Sequence, residues 1–455
     1  MISFMKRNPV ISTSFLLHLI VPFFAIGYLN SDEHFYTIEF ALFKMNLSDY
    51  MPTSWEYQSH IRPFSLPFVF YGVGSFFKGL GIESVFTLMT IFRYASSILG
   101  FFSLFIFVEA WKQRYEISKK LEWILYLAWP LILMHSRNNS ENWSTCFLLL
   151  GVALFLRNRN AFVTGILLGL SFYFRFQLGF LILPIYWFGR RNLGNLSKIT
   201  LGILISCLLM ALVDRWGYGF WTLTPYHYFM VNLVQDKVNS FGTSPWWYYM
   251  YLGLVKLVPF WGLAILGSVV WGFRSRNREY REILIWTLPF LIVHSLIGHK
   301  ELRFIYPVMP FMMILALRFI GGFKRKWQKV FLWGNLLVMP ILFMPQQKRW
   351  LIYKYVFDNK NIKTIYWASD ANPLHIKSIL RKDLKFLNFK DYKGSKPFYV
   401  ITHNYREYFA VKKDYSCKIA KSVYPTWFRY FNIGGWVERS SVWVLGYCSP
   451  KLKSL

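Results

Sequence analysis

The first apolar run of the chain is VISTSFLLHLIVPFFAIGYL, residues 10–29, and it ends just before two adjacent carboxylates, Asp32 and Glu33. About 20 apolar residues in a helix are enough to cross a hydrocarbon core of roughly 30 Å. Lys6 and Arg7 precede the run and no small-x-small cleavage site follows it, so we expect a retained signal anchor. The sequence therefore predicts a membrane helix with a carboxylate pair at its mouth.

The composition of the whole chain agrees with a membrane protein. Of its 455 residues, 55% are hydrophobic and 21% aromatic, which is too apolar for a water-soluble globule of this size. The formal net charge of +30 is compatible with nucleic-acid binding in a soluble protein. In a multispan protein, however, basic residues gather in cytoplasmic loops and face anionic lipid. We expect a polytopic α-helical membrane protein with membrane lipids, and no nucleic acid, as partners.

Further apolar runs predict about 11 transmembrane helices. The candidate spans are residues 10–29, 84–109, 121–134, 142–156, 160–174, 176–189, 199–213, 251–273, 283–297, 304–320 and 330–345. The stretch from Pro63 to Leu80 is apolar too, but Pro63, Pro67 and several glycines interrupt it. We interpret it as a helix in the membrane interface.

The distribution of basic residues tests this count of spans. With Lys6 and Arg7 inside, the strongly basic short loops all fall on the cytoplasmic side. These loops are residues 110–120, 157–159, 190–198, 274–282 and 321–329. Counting Pro63–Leu80 as a span would move the later basic loops to the outside. The distribution of basic residues therefore favours 11 spans with the N-terminus inside and the C-terminus outside.

The same topology places the polar and aromatic loops together on the non-cytoplasmic face. We divide the chain into a transmembrane catalytic domain, residues 1–345, and a small extramembrane α/β domain, residues 346–455, on the outside. The first domain contains a first outer loop, residues 30–62, and a second large outer loop, residues 214–250. A site assembled from several loops on one face is typical of a membrane enzyme.

Four cysteines are too few for a disulfide scaffold. Cys146 and Cys207 fall inside apolar runs, so only Cys417 and Cys448 are candidates for pairing, and the sequence leaves that pairing open. We find no cysteine and histidine spacing typical of zinc and no glycine-rich nucleotide loop. A nucleotide-driven pump and a metalloenzyme are therefore disfavoured, and we expect neither a metal nor a cofactor.

Several outer segments resemble one known family in the same order. The first is Asp32-Glu33-His34-Phe35-Tyr36-Thr37-Ile38-Glu39, followed by Ser54-Trp55-Glu56-Tyr57 and Ile61-Arg62. The second is Asp214-Arg215-Trp216-Gly217-Tyr218-Gly219, followed by Phe241-Gly242-Thr243-Ser244-Pro245-Trp246-Trp247. The third is His299-Lys300-Glu301-Leu302-Arg303-Phe304. Together they resemble the family 22 glycosyltransferases, the polyprenyl-phosphate-mannose-dependent mannosyltransferases of N-glycan and GPI-anchor assembly.

The resemblance implies a GT-C type architecture and a reaction. Mannose would move, with inversion, from a polyprenyl-phosphate-mannose lipid donor to a glycan or glycolipid acceptor on the non-cytoplasmic face. The membrane would be a bacterial cytoplasmic membrane with a periplasmic site or an endoplasmic reticulum membrane with a luminal site.

Glycosyl transfer from a lipid phosphate needs a carboxylate to take the proton of the acceptor hydroxyl. Asp32 is the first candidate for this base, and Glu33 is a candidate to orient the acceptor. The alternative is that both acids cap an interfacial helix, whose N-terminus favours negative charge.

Cationic side chains would meet the charge that develops on the leaving phosphate. Arg303 and Lys300 are the first candidates, and Arg175 and Arg62 are further ones. The alternative is that these residues only anchor span ends at the headgroups. His299 is a candidate donor or a structural histidine, and Glu301 is a candidate to hold the turn.

Aromatic residues of the outer loops are candidates to stack on sugar faces, although aromatic belts at the bilayer surface explain many of them without a ligand. The candidates for substrate binding in these loops, with the acids beside them, are Trp55, Glu56, Asp214, Tyr218 and Trp246.

Two alternatives to a mannosyltransferase stay open. One is another polyprenyl-phosphate-sugar transferase of the same architecture, of the oligosaccharyl or aminoarabinose type. The other is a multispan transporter that uses Asp32 and Glu33 as coupling carboxylates, but transporters usually place such groups near the bilayer midplane and show internal repeats.

Overall fold

The computed structural model describes residues 8–48, 54–368, 381, 383–425, 427, 430, 432–435 and 441–451. Lys6 and Arg7, which set the predicted orientation, and part of the first outer loop lie outside these residues. The described α-helices are Pro9–Phe24, Glu39–Lys44, Trp55–Gln58, Ser65–Gly79, Val85–Lys112, Lys119–Tyr126, Trp129–His135, Ser140–Leu156, Ala161–Phe174, Gly179–Gly189, Leu193–Tyr218, Thr224–Phe229, Tyr248–Lys256, Trp261–Arg274, Arg278–Leu296, Met309–Gly321, Arg325–Val338, Trp350–Asp358 and Tyr405–Asp414.

Shorter turns connect these helices. π-helical turns cover His34–Ile38 and Met230–Val234, and 3-10 turns cover Phe176–Leu178, Lys237–Phe241, Leu302–Val308, Met339–Phe343, Phe389–Asp391 and Ile433–Gly435. By length and composition, three helical stretches of the described chain are able to cross a membrane, Val85–Lys112, Leu193–Tyr218 and Leu302–Gly321. Shorter apolar helices accompany them, so the chain is a helical membrane protein, and the count of about 11 spans stays a prediction.

Two of the expected single spans are broken in the middle. The helix predicted over 121–134 divides before Trp129, beside Pro130, and the one over 251–273 divides after Lys256, beside Pro259. Proline cannot donate a backbone hydrogen bond, so it disfavours an unbroken helix at these points, and Pro130 lies in the first turn of the new helix Trp129–His135, where the missing donor costs little. The Asn335 side chain joins the two breaks, since its amide nitrogen donates to the Leu127 carbonyl and its oxygen accepts from Trp261 Nε1.

The apolar stretch predicted as an interfacial helix forms the helix Ser65–Gly79. One face of this helix packs inward, and Phe70 stacks on Phe92 at 4.6 Å between ring centroids. Just before the helix, Phe64 packs so closely against Gly217 that a Cβ there would lie 2.0 Å from the phenyl ring. This contact presses the segment that carries Arg62 onto the end of the helix Leu193–Tyr218.

The C-terminal region contains a five-stranded mixed sheet. The strands are β1 (Thr364–Trp367), β2 (Lys385–Asn388), β3 (Phe398–Thr402), β4 (Tyr415–Ser422) and β5 (Val444–Pro450), in the order β2-β1-β3-β5-β4. β1 is parallel to β2 and β3, whereas β5 is antiparallel to β3 and β4. A disulfide joins Cys417 to Cys448 across β4 and β5. The region therefore has mixed α/β structure, while its place outside the membrane stays a prediction.

The segment between the last helix of the bundle and this sheet packs behind the Asp32 loop. The backbone N–H of Gln346 donates to the Ile26 carbonyl at 2.9 Å. Trp350, which is fully buried, meets His34 and Tyr28 edge to face, with ring centroids 5.1 and 5.7 Å away. The sheet and the Asp32 loop consequently share one hydrophobic cluster, which puts them on the same side of the molecule.

Candidate active site

The acidic pair lies in the turn between the first helix and a π-helical turn. The π-helical turn His34–Ile38 follows Glu33 directly, and Thr37 donates its hydroxyl to the Asp32 carbonyl. π-helical turns are rare and often occur at functional sites. Asp32 and Glu33 leave this turn in different directions, so one faces a cavity and the other faces the helix bundle.

Asp32 lies between two guanidinium groups. Its Oδ2 accepts from Arg62 Nη2 and from Arg303 Nη1, both at 2.8 Å. Burial alone raises the pKa of Asp32, but Arg62 and Arg303 outweigh it and hold the pKa at about 2. Asp32 is therefore ionised at neutral pH and paired with charges from loops 30 and 271 residues away in the chain.

The ion pairs continue on both sides of Asp32. Arg62 also pairs with Glu56, and Arg303 also pairs with Glu301 at 2.8 Å. On the far side of Arg303, Glu141 Oε1 lies 3.7 Å from Arg303 Nη1 and 3.1 Å from Arg175 Nη1. Cations and carboxylates alternate along this row, so each guanidinium is preorganised before any ligand arrives.

Glu33 is only 2% exposed and points away from these cations. Its Oε1 accepts from the backbone N–H groups of Leu29 and Asn30, and its Oε2 from that of Asn138. Burial raises the pKa of Glu33, and Arg137 at 4.0 Å offsets only part of that rise. Glu33 thus ties the turn at residues 29–33 to the turn at residue 138.

A cavity of about 430 Å³, the main cavity, opens in front of Asp32. Most of the polar residues proposed from the sequence line it, with aromatic and apolar side chains between them. The predicted residues in its wall are Asp32, Trp55, Glu56, Arg62, Arg175, His299, Glu301 and Arg303. Charged side chains from four separate segments, at residues 32, 55–62, 175 and 299–303, therefore converge on one cavity, as expected for a site built from several loops.

His299 and Trp55 hold the outer wall of the main cavity. His299 Nδ1 lies 3.2 Å from the Gly242 carbonyl and its Nε2 lies 3.3 Å from Glu301. Trp55 packs on Phe241 at 5.5 Å between ring centroids. These contacts join the first outer loop, the 237–242 segment and the 299–303 turn.

An apolar cavity of about 520 Å³, the second cavity, lies on the other side of the 299–303 turn. It shares Asn30, Glu301 and Arg303 with the main cavity. Its apolar wall comes largely from the two broken helices and includes Trp129, Leu133, Met134, Leu252, Leu257, Tyr306 and Met309. A charged cavity and an apolar one therefore meet at Arg303.

Two residues predicted to bind substrate lie away from Asp32. Lys300 lines the second cavity, and its Nζ donates to the carbonyls of Ser244 and Ile297. Its ammonium group therefore holds the two loops together and does not face the main cavity. Trp246 is 63% exposed and lines neither cavity. The structure does not bring these two side chains to Asp32.

Asp214 and Tyr218 are in the helix Leu193–Tyr218, although we expected an outer loop to begin at residue 214. Asp214 is fully buried and accepts from the Phe64 N–H, from Tyr173 and from Thr224. Tyr218 donates its hydroxyl to the Arg62 carbonyl at 2.8 Å. Both residues therefore brace the segment that carries Arg62 rather than line the main cavity.

The sequence reasoning missed several residues of the site. Tyr36 and Tyr228 line the main cavity, and Arg62 lies over the Tyr36 ring at 5.0 Å. Glu141 lies in the first turn of the helix Ser140–Leu156, and Gln177 lies in the 3-10 turn Phe176–Leu178. The predicted spans leave residues 135–141 and Arg175 between span ends on the expected outer face, and no other feature of the sequence pointed toward these two residues. No cluster of three or more His, Cys, Asp or Glu side chains able to hold a metal occurs among the described residues.

The helical architecture of the chain defines its fold class, the GT-C fold. Crystal structures of ArnT from Cupriavidus metallidurans share this fold. The apo structure aligns over 98% of both chains with a TM-score of 0.51 and 12% identity. The structure bound to undecaprenyl phosphate covers 96% of this chain and 97% of ArnT, with a TM-score of 0.52 and 10% identity.

The chain belongs to the Alg9-like mannosyltransferase family, whose sequence model matches residues 10–359. The resemblance seen in the outer-loop motifs is thereby confirmed. GPI alpha-1,2-mannosyltransferase 3 of Bos taurus is 26% identical over 322 residues, 66% of this chain and 56% of the relative. Mannosyltransferase APTG1 of Arabidopsis thaliana is 25% identical over 320 residues, 64% and 54% respectively. The chain thus spans about half the length of these relatives.

Proposed function

We propose that the protein is a mannosyltransferase that moves mannose from a polyprenyl-phosphate-mannose donor to a glycan or glycolipid acceptor, with inversion. The observation that carries this proposal is the carboxylate of Asp32, held at 2.8 Å from Arg62 and from Arg303 in a cavity beside an apolar one. Membership of the Alg9-like mannosyltransferase family supports mannose as the sugar.

The guanidinium groups bind the phosphate in this proposal. Arg303 lies where the main and second cavities meet, and a guanidinium contacts two phosphate oxygens at once. The apolar wall of the second cavity is suited to a polyprenyl chain, because aliphatic and aromatic side chains replace the bilayer hydrocarbon around it at little cost. The ArnT structure with undecaprenyl phosphate supports a lipid phosphate as a ligand for this fold.

Asp32 is the base in this proposal. While it is paired with two arginines its pKa of about 2 makes it a weak proton acceptor. A phosphate that draws Arg303 or Arg62 toward itself removes this stabilisation and raises the basicity of Asp32. Donor binding therefore activates the carboxylate that deprotonates the acceptor hydroxyl, and the developing phosphate charge is met by the same cations.

We further propose that the site faces a periplasm or an endoplasmic reticulum lumen. Disulfides persist in oxidising compartments, and the Cys417–Cys448 pair lies in the sheet on the same side as Asp32. The predicted positive-inside topology supports the same side.

A transfer assay with the purified full chain tests the activity. We expect mannose to pass from polyprenyl-phosphate-mannose to a mannose-terminated glycolipid, with release of polyprenyl phosphate. Polyprenyl-phosphate-aminoarabinose is the competing donor, and transfer of that sugar instead of mannose would contradict the proposal.

A further inference from the structure

A small polar chamber, the side pocket, opens from the main cavity behind Asp32. Its free volume is about 40 Å³, enough for one or two water molecules or for the hydroxyl groups on one edge of a larger ligand. Asp32, Arg62, Arg175 and Tyr228 line both spaces. A ligand in the main cavity is therefore able to extend polar groups into the side pocket.

The wall of the side pocket carries three buried polar atoms without a hydrogen-bond partner in the described part of the chain, namely Ser65 Oγ, Asn139 Nδ2 and Gln177 Oε1. Glu141 also lines the pocket, and its Oε1 is held by ion pairs alone, 3.1 Å from Arg175 Nη1 and 3.7 Å from Arg303 Nη1. Ser65, Asn139 and Glu141 are each no more than 2% exposed. Because an unpaired buried polar group costs about 1–3 kcal/mol, such a cluster points to a ligand that supplies the missing hydrogen bonds.

The local structure determines what each atom offers. Asn139 Oδ1 accepts from the Asn142 N–H at 2.9 Å and caps the helix Ser140–Leu156, so the free atom of Asn139 is its donating amide nitrogen. Gln177 uses its amide nitrogen on the Tyr228 hydroxyl and leaves its carbonyl oxygen free. Glu141 offers a carboxylate oxygen, and Ser65 offers a hydroxyl that donates or accepts.

This mixture of donors and acceptors selects among ligand groups. A phosphate has oxygens that only accept, so it would leave the Gln177 carbonyl oxygen unpaired even though Arg62 and Arg175 also line the pocket. An alkyl chain would leave all three atoms unpaired. A sugar hydroxyl donates one hydrogen bond and accepts others. Adjacent sugar hydroxyls are therefore able to donate to the Glu141 and Gln177 oxygens and to accept from the Asn139 amide nitrogen.

We propose that the side pocket binds hydroxyl groups of a hexose and that Ser65, Asn139, Glu141 and Gln177 determine which sugar is accepted. This inference rests on the proposed function. The phosphate then lies toward Arg303, which stands between the Asp32 and Glu141 carboxylates, and the sugar hydroxyls lie in the side pocket that both carboxylates line. The hexose belongs either to the donor or to the acceptor, and the experiment below separates the two.

Ser65→Ala and Gln177→Leu test the proposal, because neither removes a helix cap or a charge. Each variant and the wild type are assayed with mannose donors and mannose acceptors that lack one hydroxyl at a time. We expect each variant to raise the KM for the complete sugar about five- to tenfold. We also expect each to lose the discrimination of the wild type against one deoxy analogue. If the pocket holds the donor sugar, discrimination is lost against a deoxy donor. If the pocket holds the acceptor sugar, discrimination is lost against a deoxy acceptor.

Thr222→Val is the matched control, since Thr222 Oγ1 is also buried without a partner in the described residues but lines neither cavity nor the side pocket. It should leave both KM and sugar discrimination unchanged. If Ser65→Ala and Gln177→Leu discriminate between deoxy sugars as the wild type does, the side pocket holds water only and the proposal is overturned.

A binding experiment separates this result from failure of the proposed function. Methyl α-mannoside is added to the detergent-solubilised full chain, and saturation transfer from protein to sugar is measured by NMR. The wild type could transfer no mannose and still bind the glycoside, with weaker binding in Gln177→Leu. This result would contradict the proposed function and support sugar binding in the side pocket. Equal binding by both proteins overturns the side pocket alone.

Discussion

Asp32 and Glu33 are neighbours in the chain and have opposite surroundings. Asp32 faces a cavity and meets two guanidinium groups, so its pKa falls to about 2. Glu33 faces the bundle and meets mostly backbone N–H groups, so burial prevails and its pKa rises. The difference shows that a carboxylate pair in a sequence is not one functional unit, because adjacent side chains in a turn enter different environments.

The largest expected effect is that of Asp32→Asn. Asparagine keeps the size of the side chain but cannot accept the proton, so we expect kcat to fall about 100- to 10,000-fold. The measurement is mannose transfer by protein whose melting temperature matches the wild type. An Asp32→Asn enzyme with normal turnover would remove Asp32 from the mechanism.

Arg303→Lys is expected to come next, with a loss of roughly 100-fold in kcat/KM. Lysine keeps the charge but not the two-pronged geometry that now contacts Asp32 and Glu301. Arg215→Lys is the matched control, because Arg215 lies over the exposed Trp221 ring and lines neither cavity. Equal losses in both variants would mean that charge near the membrane surface, rather than the site, is responsible.

Glu33→Gln should affect stability more than chemistry. Both oxygens of the Glu33 carboxylate accept hydrogen bonds, from the N–H groups of Leu29, Asn30 and Asn138, whereas a glutamine amide has only one accepting oxygen. We therefore expect the free energy of unfolding to fall by about 1–3 kcal/mol. The kcat per folded molecule should change less than about tenfold, measured beside a melting curve. A collapse of kcat as deep as in Asp32→Asn, with normal melting, would give Glu33 a chemical role.

The pH dependence should separate the free enzyme from its donor complex. A depressed pKa means that Asp32 stays ionised as pH falls, and its stabilising ion pairs are lost only as pH approaches about 2. The acid limb of kcat/KM should therefore not arise from Asp32 above about pH 4. If donor phosphate draws the arginines away, the acid limb of kcat appears at higher pH than that of kcat/KM, and coincident limbs would argue against this activation.

The smallest effect is expected for Trp246→Ala, which should leave kcat/KM within about twofold because its exposed side chain lines neither cavity. Trp55→Ala, in the wall of the main cavity, should lower kcat/KM about three- to tenfold through lost aromatic contact. A ranking in the opposite order would place the substrate outside the main cavity.

Local patterns predicted the helical membrane class well, because each apolar run carries its own requirement for burial. They failed where a distant contact mattered. Asn335 links the breaks beside Pro130 and Pro259. Asp214, expected in a loop, lies in the last turns of the helix Leu193–Tyr218, where it accepts from Phe64, Tyr173 and Thr224. Trp246 and Lys300 belong to the expected motifs, yet their side chains turn away from Asp32.

The amino-acid sequence by itself determined the helical membrane class, the outer-loop motifs and, through them, the family, since hydropathy and short motifs are properties of contiguous residues. Only the tertiary structure decided that Asp32 meets Arg62 and Arg303, that Glu33 serves the backbone, and that Glu141 and Gln177 share a pocket. These residues come from segments far apart in the chain. Their chemistry depends on distances of a few ångströms, which packing of the helices sets and which no local pattern encodes.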